Sequence, residues 1–402
     1  MENSTFGSIL ENNTALCSPY TDPNWSRALK GGTYVLIMLV SVIGNSLVIY
    51  IISSAPSMRT TTNYLIANLA VADLFITCVS MPVVAMVNIT GFNNFRSVVT
   101  AVIVCKINPL VHGSSMESAI FSLVAISFDR LFAIATPFKK VITFYRLKVI
   151  LFCIWFFSLL TLSPLLYVIK FVQRNNFYYC YERWPESFDQ EQAARAYTVI
   201  LFLLFYAIPL LIMAVVYPII IHKLWGRGKG ITELLPTYMQ RKRRTNRKVL
   251  KMLMTVVITF ALCWLTFHVR MFLGFFGSTN NIPCALQPHL YFLAFSIAHS
   301  NSAITPLIYY FFNATFRNQF QKVFYKLFPR LSQLCGLKGA ADDESNATQN
   351  ISLVRFRSDA IASRQDALVG NDLRTKLGSH RPRKVRYSSP SQSSLQGNQH
   401  SL

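Results

Sequence analysis

The chain has 402 residues, of which 52% are hydrophobic and 13% aromatic, while only 14% are charged. A soluble domain carries nearer a quarter charged residues, so this composition excludes an ordinary soluble protein and indicates a membrane protein. The formal net charge of +22 does not predict nucleic-acid binding, because the basic residues lie between long apolar segments and in the C-terminal tail.

The first 32 residues form a polar segment that is predicted to be glycosylated. It contains three acceptor sequons, at Asn3, Asn12 and Asn24. Three sequons in so short a segment favour an extracellular N-terminal tail. No apolar run with a cleavage site precedes Thr33, so we expect no removable signal peptide.

Seven apolar segments follow, and each is longer than the length of about 20 residues that a helix needs to cross a bilayer. They cover residues 33–53, 64–87, 101–128, 149–169, 196–221, 249–276 and 290–312. Backbone groups that lack a partner cannot face lipid, so the segments are expected to be helical. The sequence therefore predicts an all-α membrane protein with a seven-transmembrane helix bundle over residues 33–312.

Basic residues recur in alternate loops between these segments. Arg59 lies in the first loop, Lys139 and Lys140 lie in the third, and the fifth contains a basic cluster over residues 241–251. Positive-inside bias therefore places the N-terminus outside the cell and the C-terminus in the cytoplasm. The predicted localisation is the plasma membrane, which the chain crosses several times.

The chain after the seventh segment predicts a membrane-surface helix and then a tail. Phenylalanine recurs at every fourth residue among basic and polar residues, at Phe312, Phe316, Phe320 and Phe324. This pattern predicts a short amphipathic eighth helix, within residues 313–335, on the inner leaflet. Cys335 is expected to be either palmitoylated or a free thiol. Residues 336–402 are polar and basic, which predicts a disordered cytoplasmic tail.

Characteristic residues occur inside every apolar segment. In chain order they are Gly44-Asn45, LAVAD ending at Asp73, Cys105 with Asp129-Arg130, Trp155, Pro209 with Tyr217, FALCW over 260–264 and NSAITPLIY over 301–309. A lone tryptophan or proline in a membrane helix is ordinary packing. Together, in this order and spacing, the residues resemble the signature of the rhodopsin-like, class A, G-protein-coupled receptors over about residues 33–328.

The resemblance implies a signal-transducing receptor that is not an enzyme. Its expected partners are a heterotrimeric G protein, arrestin, receptor kinases and membrane lipid. Cys105 resembles the family cysteine that bridges to the second outer loop, where Cys180 is the partner. We hypothesise that Cys17 and Cys284, which also lie on the outer side, form a second bridge. The residues expected to act as the activation switch and the G-protein contact are Asp129, Arg130, Pro137, Phe138, Tyr217, Trp264, Pro306 and Tyr309.

Polar residues near the middle of the membrane are expected to converge. Asn45, Asp73, Asn301 and Ser302 belong to separate or facing helices, and each is costly if it is isolated in lipid. In the family such a cluster binds sodium as an allosteric ion, with Asp73 as the main ligand and a contribution expected here from Ser115. The alternative is a purely structural polar core. No other cofactor is expected.

Three positions depart from the family pattern. Leu131 replaces the tyrosine that usually follows Asp-Arg, Thr266 replaces the helix-kinking proline of the sixth segment, and Thr305 replaces an asparagine before Pro306. Thr266 is expected to hydrogen-bond the Leu262 carbonyl and bend the helix slightly. The inner end of the sixth segment also lacks an acid for Arg130. We hypothesise that the resting state is therefore loosely held, with ligand-independent signalling.

The second outer loop, with Cys180-x-Glu182-x-Trp-Pro, resembles that of the neuropeptide Y, neuropeptide FF, orexin and tachykinin receptors. The resemblance implies a β-hairpin over a ligand cavity and an extracellular peptide ligand. The predicted ligand-binding residues are His112, Met116, Glu117, Glu182, Trp264, Phe267, His268, Met271, Tyr291, Phe295 and His299. In a soluble protein such helical stripes would be core. His112 stands where amine receptors have an aspartate, and His299 stands where opsins have the lysine that binds retinal. The sequence therefore supports neither amine binding nor light sensing.

The charges favour a cationic, aromatic peptide end, with the basic group on Glu182. The alternative for the loop acids is a solvated surface, and Glu117 is alternatively a hydrogen-bond partner of the fourth or fifth helix.

Three rival functions remain. A receptor for a non-peptide ligand, orphan or constitutively active, is the nearest. A transporter would show internal repeats, which are not seen. An enzyme with zinc on His112, His268 and His299 would need a carboxylate partner.

Overall fold

The computed structural model describes residues 22–90, 96–136, 141–174, 176–225, 237–276, 282–283 and 285–327. Several sequence predictions lie outside these ranges. They concern Asn3, Asn12, Cys17, Pro137, Phe138, Cys284, Cys335 and the tail 336–402. Within the described ranges, the chain folds into helices that we number α1–α8 and one two-stranded hairpin, β1–β2.

The helices follow one another in the order that the apolar segments predict. They are α1 Asn24–Ser54, α2 Thr61–Phe75 continued by Ile76–Ser80 and Met81–Thr90, α3 Val98–Val102 continued by Ile103–Ile107 and Asn108–Ala135, α4 Phe144–Val168, α5 Gln190–Phe202 continued by Leu203–Ala207 and Ile208–Trp225, α6 Thr237–Phe275, α7 Gln287–Phe312 and α8 Ala314–Leu327. Strands β1 Ile169–Arg174 and β2 Phe177–Glu182 lie between α4 and α5.

The predicted seven-helix bundle is confirmed. Within the described chain, six helices, α1 to α6, are long and apolar enough to cross a membrane by length and composition alone. Helix α7 has 26 residues and is more polar, but it turns His299, Asn301, Ser302 and Thr305 into the interior. Large apolar side chains cover the bundle surface instead, as contact with lipid requires.

Two helices extend beyond the apolar segments. Helix α1 begins at Asn24, earlier than Thr33, and its first turns are held by Lys30, which pairs with Asp22, and by Ser26, whose hydroxyl donates to Asp22 at 3.5 Å. Helix α6 begins at Thr237 in a basic segment. A helix can continue past the bilayer because its backbone hydrogen bonds are made within the helix itself.

Three helices each contain one wide π-helical turn, and a proline follows each of them closely. The turns end at Ser80, Ile107 and Ala207, and the prolines are Pro82, Pro109 and Pro209. At each site the residue before the proline bonds the carbonyl five residues back, as Met81 bonds Ile76. Proline lacks an N–H and clashes with the carbonyl four residues back, so the preceding turn widens.

The hairpin and the disulfide that the family resemblance implied are both present. Strands β1 and β2 pair antiparallel, with Ile169 opposite Glu182 and Phe171 opposite Cys180. Asn176, at the turn, adopts a φ of 66°, a conformation that asparagine tolerates better than most residues. Cys180 is bonded to Cys105 with a Cα–Cα distance of 5.6 Å. This bond attaches the hairpin to α3, and we call this end of the bundle the hairpin end.

Gly44 on α1 is needed because α7 approaches it closely. A Cβ at this position would lie 2.7 Å from Cβ of Pro306, an atom of a rigid ring, whereas a Cβ on Gly32 in the same helix would meet nothing within 4 Å. We therefore expect Gly44→Ala to lower the melting temperature of the purified protein. Gly32→Ala should leave it unchanged or raise it, because alanine is the better helix former by about 1 kcal/mol. Equal melting temperatures for the two variants would contradict the close packing of α1 on α7.

Candidate functional site: a cavity at the hairpin end and the polar interior beneath it

A cavity of about 320 Å³ opens between α3, α5, α6, α7 and the hairpin. Of the residues predicted to bind ligand, those that line it are His112, Met116, Glu117, Glu182, Phe267, His268, Met271, Tyr291 and Phe295. They come from four separate elements, and the helical spacing of each stripe turns its members to the same side. The cavity thus combines aromatic walls with imidazole and carboxyl groups.

Trp264 and His299 do not line the cavity but lie beneath it. Trp264 is 1% exposed, with its ring 5.5 Å from that of His112 and 5.8 Å from that of Phe267. His299 is fully buried, and its Nε2 lies 3.3 Å from Nε2 of His112. On the other side of the ring, Nδ1 of His299 lies 3.4 Å from the Tyr34 hydroxyl of α1. The cavity floor is therefore connected to α1, α6 and α7.

The α5 wall of the cavity was not predicted. Tyr197, Thr198, Leu201 and Phe202 line the cavity from this helix. Their spacing of three and four residues is a helical stripe that the sequence already contains. Without the fold, however, nothing distinguishes such a stripe from one that packs against a neighbouring helix. Further lining residues come from α2, α3, α4, β1 and α6, namely Val84, Asn108, Pro109, Gly113, Leu162, Leu165, Ile169 and Phe275.

Glu182 is the loop acid that faces the cavity. It is partly buried at the end of β2, and its Oε1 accepts a hydrogen bond of 2.5 Å from Trp184 Nε1. Burial raises the pKa of the Glu182 carboxyl, and the Trp184 hydrogen bond opposes that rise. The side chain is thus a carboxylate held in a partly dry place, which favours a cationic partner.

The other loop acids have different partners. Glu186 is exposed and lies 3.3 Å from Arg183, and Glu191 pairs with Arg195. Asp189 caps α5, since its Oδ1 accepts from the backbone N–H of Gln192 at 2.8 Å. The solvated-surface alternative therefore fits these three acids but not Glu182.

Glu117 fits both of the roles that the sequence left open. It lines the cavity, and its Oε2 also accepts a hydrogen bond of 3.0 Å from Thr161 Oγ1 of α4. His112 bonds His299 instead of Glu117. The described residues contain no group of three or more histidine, cysteine, aspartate or glutamate side chains placed to hold a metal ion.

Three of the mid-membrane polar residues, Asn45, Asp73 and Ser302, meet inside the bundle. Ser302 Oγ donates to Asp73 Oδ1 at 2.6 Å, and Asn45 Nδ2 donates to the Ser302 carbonyl at 2.9 Å. Several buried oxygens here have no hydrogen-bond partner among the described residues: Asp73 Oδ2, Asn45 Oδ1, Asn301 Oδ1 and Ser115 Oγ. Oxygens of this kind are ligands that a hard cation and its waters prefer, and the contacts with Ser302 bring those of Asp73 and Asn45 near one another. Thr305 contributes nothing to this set, since its hydroxyl bonds the Asn301 carbonyl.

The switch residues at the opposite end have separate partners. Arg130 bonds Asp129 at 2.6 Å and also contacts Thr62 of α2, which itself bonds Asp129. Ser127 Oγ donates to the Tyr217 hydroxyl at 3.2 Å. Tyr309 is buried and stacks on Phe316 of α8, with ring centroids 5.6 Å apart. Pro306 lies against Gly44, and Pro137 and Phe138 lie outside the described residues.

The expected bond from Thr266 to the Leu262 carbonyl is wrong. The Thr266 hydroxyl lies 2.8 Å from the Cys263 carbonyl, three residues back, and 3.0 Å from the Ala294 carbonyl of α7. A hydroxyl chooses among nearby carbonyls by their position in space, and the sequence cannot show that α7 supplies one.

Comparisons with known proteins agree with this geometry. The sequence model of the 7 transmembrane receptor (rhodopsin family) matches residues 44–309. Tachykinin-like peptides receptor 86C of Drosophila melanogaster is 31% identical over 313 residues, which are 76% of this chain and 60% of that receptor. The Substance-P receptor of Aquarana catesbeiana is 30% identical over 80% of this chain and 76% of its own length. Neuropeptide FF receptor 2 of Mus musculus is 31% identical over 73% of this chain and 71% of its own length. The chain therefore belongs to the rhodopsin family of seven-transmembrane receptors.

Proposed function

We propose that this chain is a plasma-membrane receptor that an extracellular peptide activates and that signals through a heterotrimeric G protein. One observation carries the proposal: an aromatic cavity at the hairpin end with a single loop carboxylate, Glu182, at its wall. Relatives named as receptors for tachykinin-like peptides, substance P and neuropeptide FF support it. The test is a peptide screen on cells that express the chain, with calcium and cAMP readouts. The proposal would be refuted if no peptide evoked a larger response in these cells than in untransfected cells.

The proposed orientation has the hairpin end outside the cell. The Cys105–Cys180 bond lies at that end, and disulfides form in the oxidising secretory pathway. Basic loops lie at the opposite end, which we assign to the cytoplasm. There, Arg130 and its neighbours are proposed to meet the G protein, and arrestin and receptor kinases to act on the C-terminal tail.

The ligand end that fits the cavity carries a cation beside an aromatic ring. Glu182 would bind the cation, and the rings of Phe267, Tyr291 and Phe295 would surround the aromatic group. The centroid distances are 5.3 Å between Phe267 and Phe295 and 4.4 Å between Tyr291 and Phe295. Aromatic rings at these separations attract both another ring and a cation.

Glu182→Gln should weaken an arginine-containing peptide agonist about tenfold or more, because a charge-assisted hydrogen bond is lost. The same peptide with citrulline in place of arginine should be affected far less. The measurement is the agonist potency of both peptides on each variant. Glu186→Gln is the matched control, because Glu186 is exposed and pairs with Arg183 at the surface. Equal losses for the two peptides would contradict the charge pairing.

The potency of the basic peptide should also fall at acidic pH. Burial raises the pKa of Glu182, so this carboxylate is protonated at a higher pH than an exposed one. The cation-binding form is present above that pKa and lost as the pH falls through it. Glu182→Gln should remove this part of the pH dependence and leave the citrulline peptide unchanged. A pH profile that is identical in Glu182→Gln and the parent would contradict the assignment.

We further propose that the oxygen cluster around Asp73 binds sodium. The unpartnered oxygens of Asp73, Asn301 and Ser115 support this proposal, with Ser302 as the neighbour that holds the carboxylate. An ion bound to Asp73 of α2 beside Ser302 of α7 would stabilise the arrangement of these two helices that the ligand-free structure shows. Agonist affinity should therefore fall when sodium replaces potassium at constant ionic strength, and Asp73→Asn should abolish the difference. A sodium effect that survives in Asp73→Asn would show that the ion binds elsewhere.

A further inference from the structure

Helix α6 is not held to α3 by an ion pair in the described part of the chain. Arg130 is engaged by Asp129 and Thr62. The part of α6 that borders a small cleft with Arg130 contributes Asn246 and Leu250, and neither carries a negative charge. Any restraint on α6 in the resting state must therefore come from another contact.

Thr266 supplies such a contact at the hairpin end of α6. Its hydroxyl lies 3.0 Å from the Ala294 carbonyl of α7, and 2.8 Å from the Cys263 carbonyl of its own helix. The residue is half-buried at the α6–α7 boundary, two positions from Trp264. The single hydroxyl proton can be donated to either carbonyl or shared between them.

The geometry makes this hydrogen bond easy to gain and to lose. Both carbonyls lie inside continuous helices, so each already accepts a backbone N–H. Releasing the Thr266 proton from Ala294 leaves no buried acceptor without a partner, and the Cys263 carbonyl accepts it instead. Hydrogen bonds between membrane helices shift an equilibrium about threefold on average and at most about twentyfold. This strength suits a contact that is broken during signalling.

Helix α6 transmits a restraint at Thr266 along its length. It runs from Thr237 to Phe275 without a proline, so its backbone ladder is not interrupted. Phe267, His268 and Met271 reach the cavity from one half, and Leu250 lies beside Arg130 in the other. A bond that holds Thr266 to α7 therefore restrains both halves.

We propose that Thr266 is a positioning residue for activation. Its hydroxyl holds α6 to the Ala294 carbonyl of α7 in the resting state, and this hydrogen bond breaks when α6 moves. The strength of this bond then adds to the restraint from α5, whose Tyr206 and Arg195 donate to the Ala261 and Phe275 carbonyls of α6, and so contributes to the level of signalling without ligand. This inference rests on the proposed G-protein signalling. It assigns to Thr266 a role that opposes movement of α6, whereas a helix-kinking proline would ease it.

The test compares three variants at equal receptor density in membranes. Thr266→Val removes the hydroxyl and keeps the shape, and we expect ligand-free nucleotide exchange on the G protein to rise about threefold. Thr266→Ser keeps the hydroxyl and should retain the parent level. Thr255→Val is the matched control, because the half-buried Thr255 donates its hydroxyl proton to the Lys251 carbonyl of the same helix, at 2.9 Å. A merely structural defect would lower basal exchange instead of raising it.

A second readout does not need the G protein. A fluorescent label on Lys248→Cys, an exposed position between Asn246 and Leu250 of α6, should change its ligand-free emission in Thr266→Val but not in Thr266→Ser or Thr255→Val. The chain without the Lys248→Cys change gives the background labelling. If the parent receptor activates no G protein, the proposed function fails, and the label alone decides the role of Thr266. The inference is overturned if Thr266→Val matches the parent, or if Thr266→Ser or Thr255→Val behaves like Thr266→Val.

Discussion

Lipid offers no hydrogen-bond partner, and this constraint organises the interior of the bundle. Each polar side chain within the apolar segments has to bond another helix, its own backbone, or water and ions enclosed between helices. Asn45 and Asp73 both meet Ser302 of α7, Glu117 meets Thr161 of α4, and Thr266 meets Ala294. Each of these bonds joins two helices, so the polar residues determine which helices are neighbours at a given depth.

The side-chain amide of Asn68 makes a similar contact among three helices. Asn68 of α2 accepts a hydrogen bond of 2.9 Å from Trp155 Nε1 of α4, and its amide nitrogen donates to Ser118 and Ser122 of α3. Three helices are thereby joined through a single amide. The cavity at the hairpin end and the Arg130 group at the other end lie on helices that share these contacts. A change at either end therefore has a continuous, packed route to the other, which signalling through the bundle requires.

Much of the fold could be predicted from the sequence because the constraints that fix it are local. A run of apolar residues has to be a helix in lipid, and alternating loop charges order the spans. The Cys105–Cys180 bond and the hairpin came instead from the family resemblance. The wide turns before Pro82, Pro109 and Pro209 were not predicted, because a proline alone does not determine one: Pro164, Pro218 and Pro306 lie inside ordinary α-helix. What else could not be predicted depends on rotation of one helix against another. The α5 wall of the cavity, the position of Trp264 beneath it and the choice of Ala294 by Thr266 all depend on it.

The length of α6 gives a small motion near the cavity a large effect elsewhere. At about 1.5 Å per residue, its 39 residues extend for nearly 60 Å, more than the thickness of a bilayer with its headgroups. From Thr266 to Thr237 the lever arm is roughly 40 Å. Once Thr266 is released, each degree by which α6 tilts about its cavity end moves the basic tip by at least about 0.7 Å, if the helix stays straight. A displacement of the cavity wall by less than an ångström is thus enlarged severalfold at the far tip of α6.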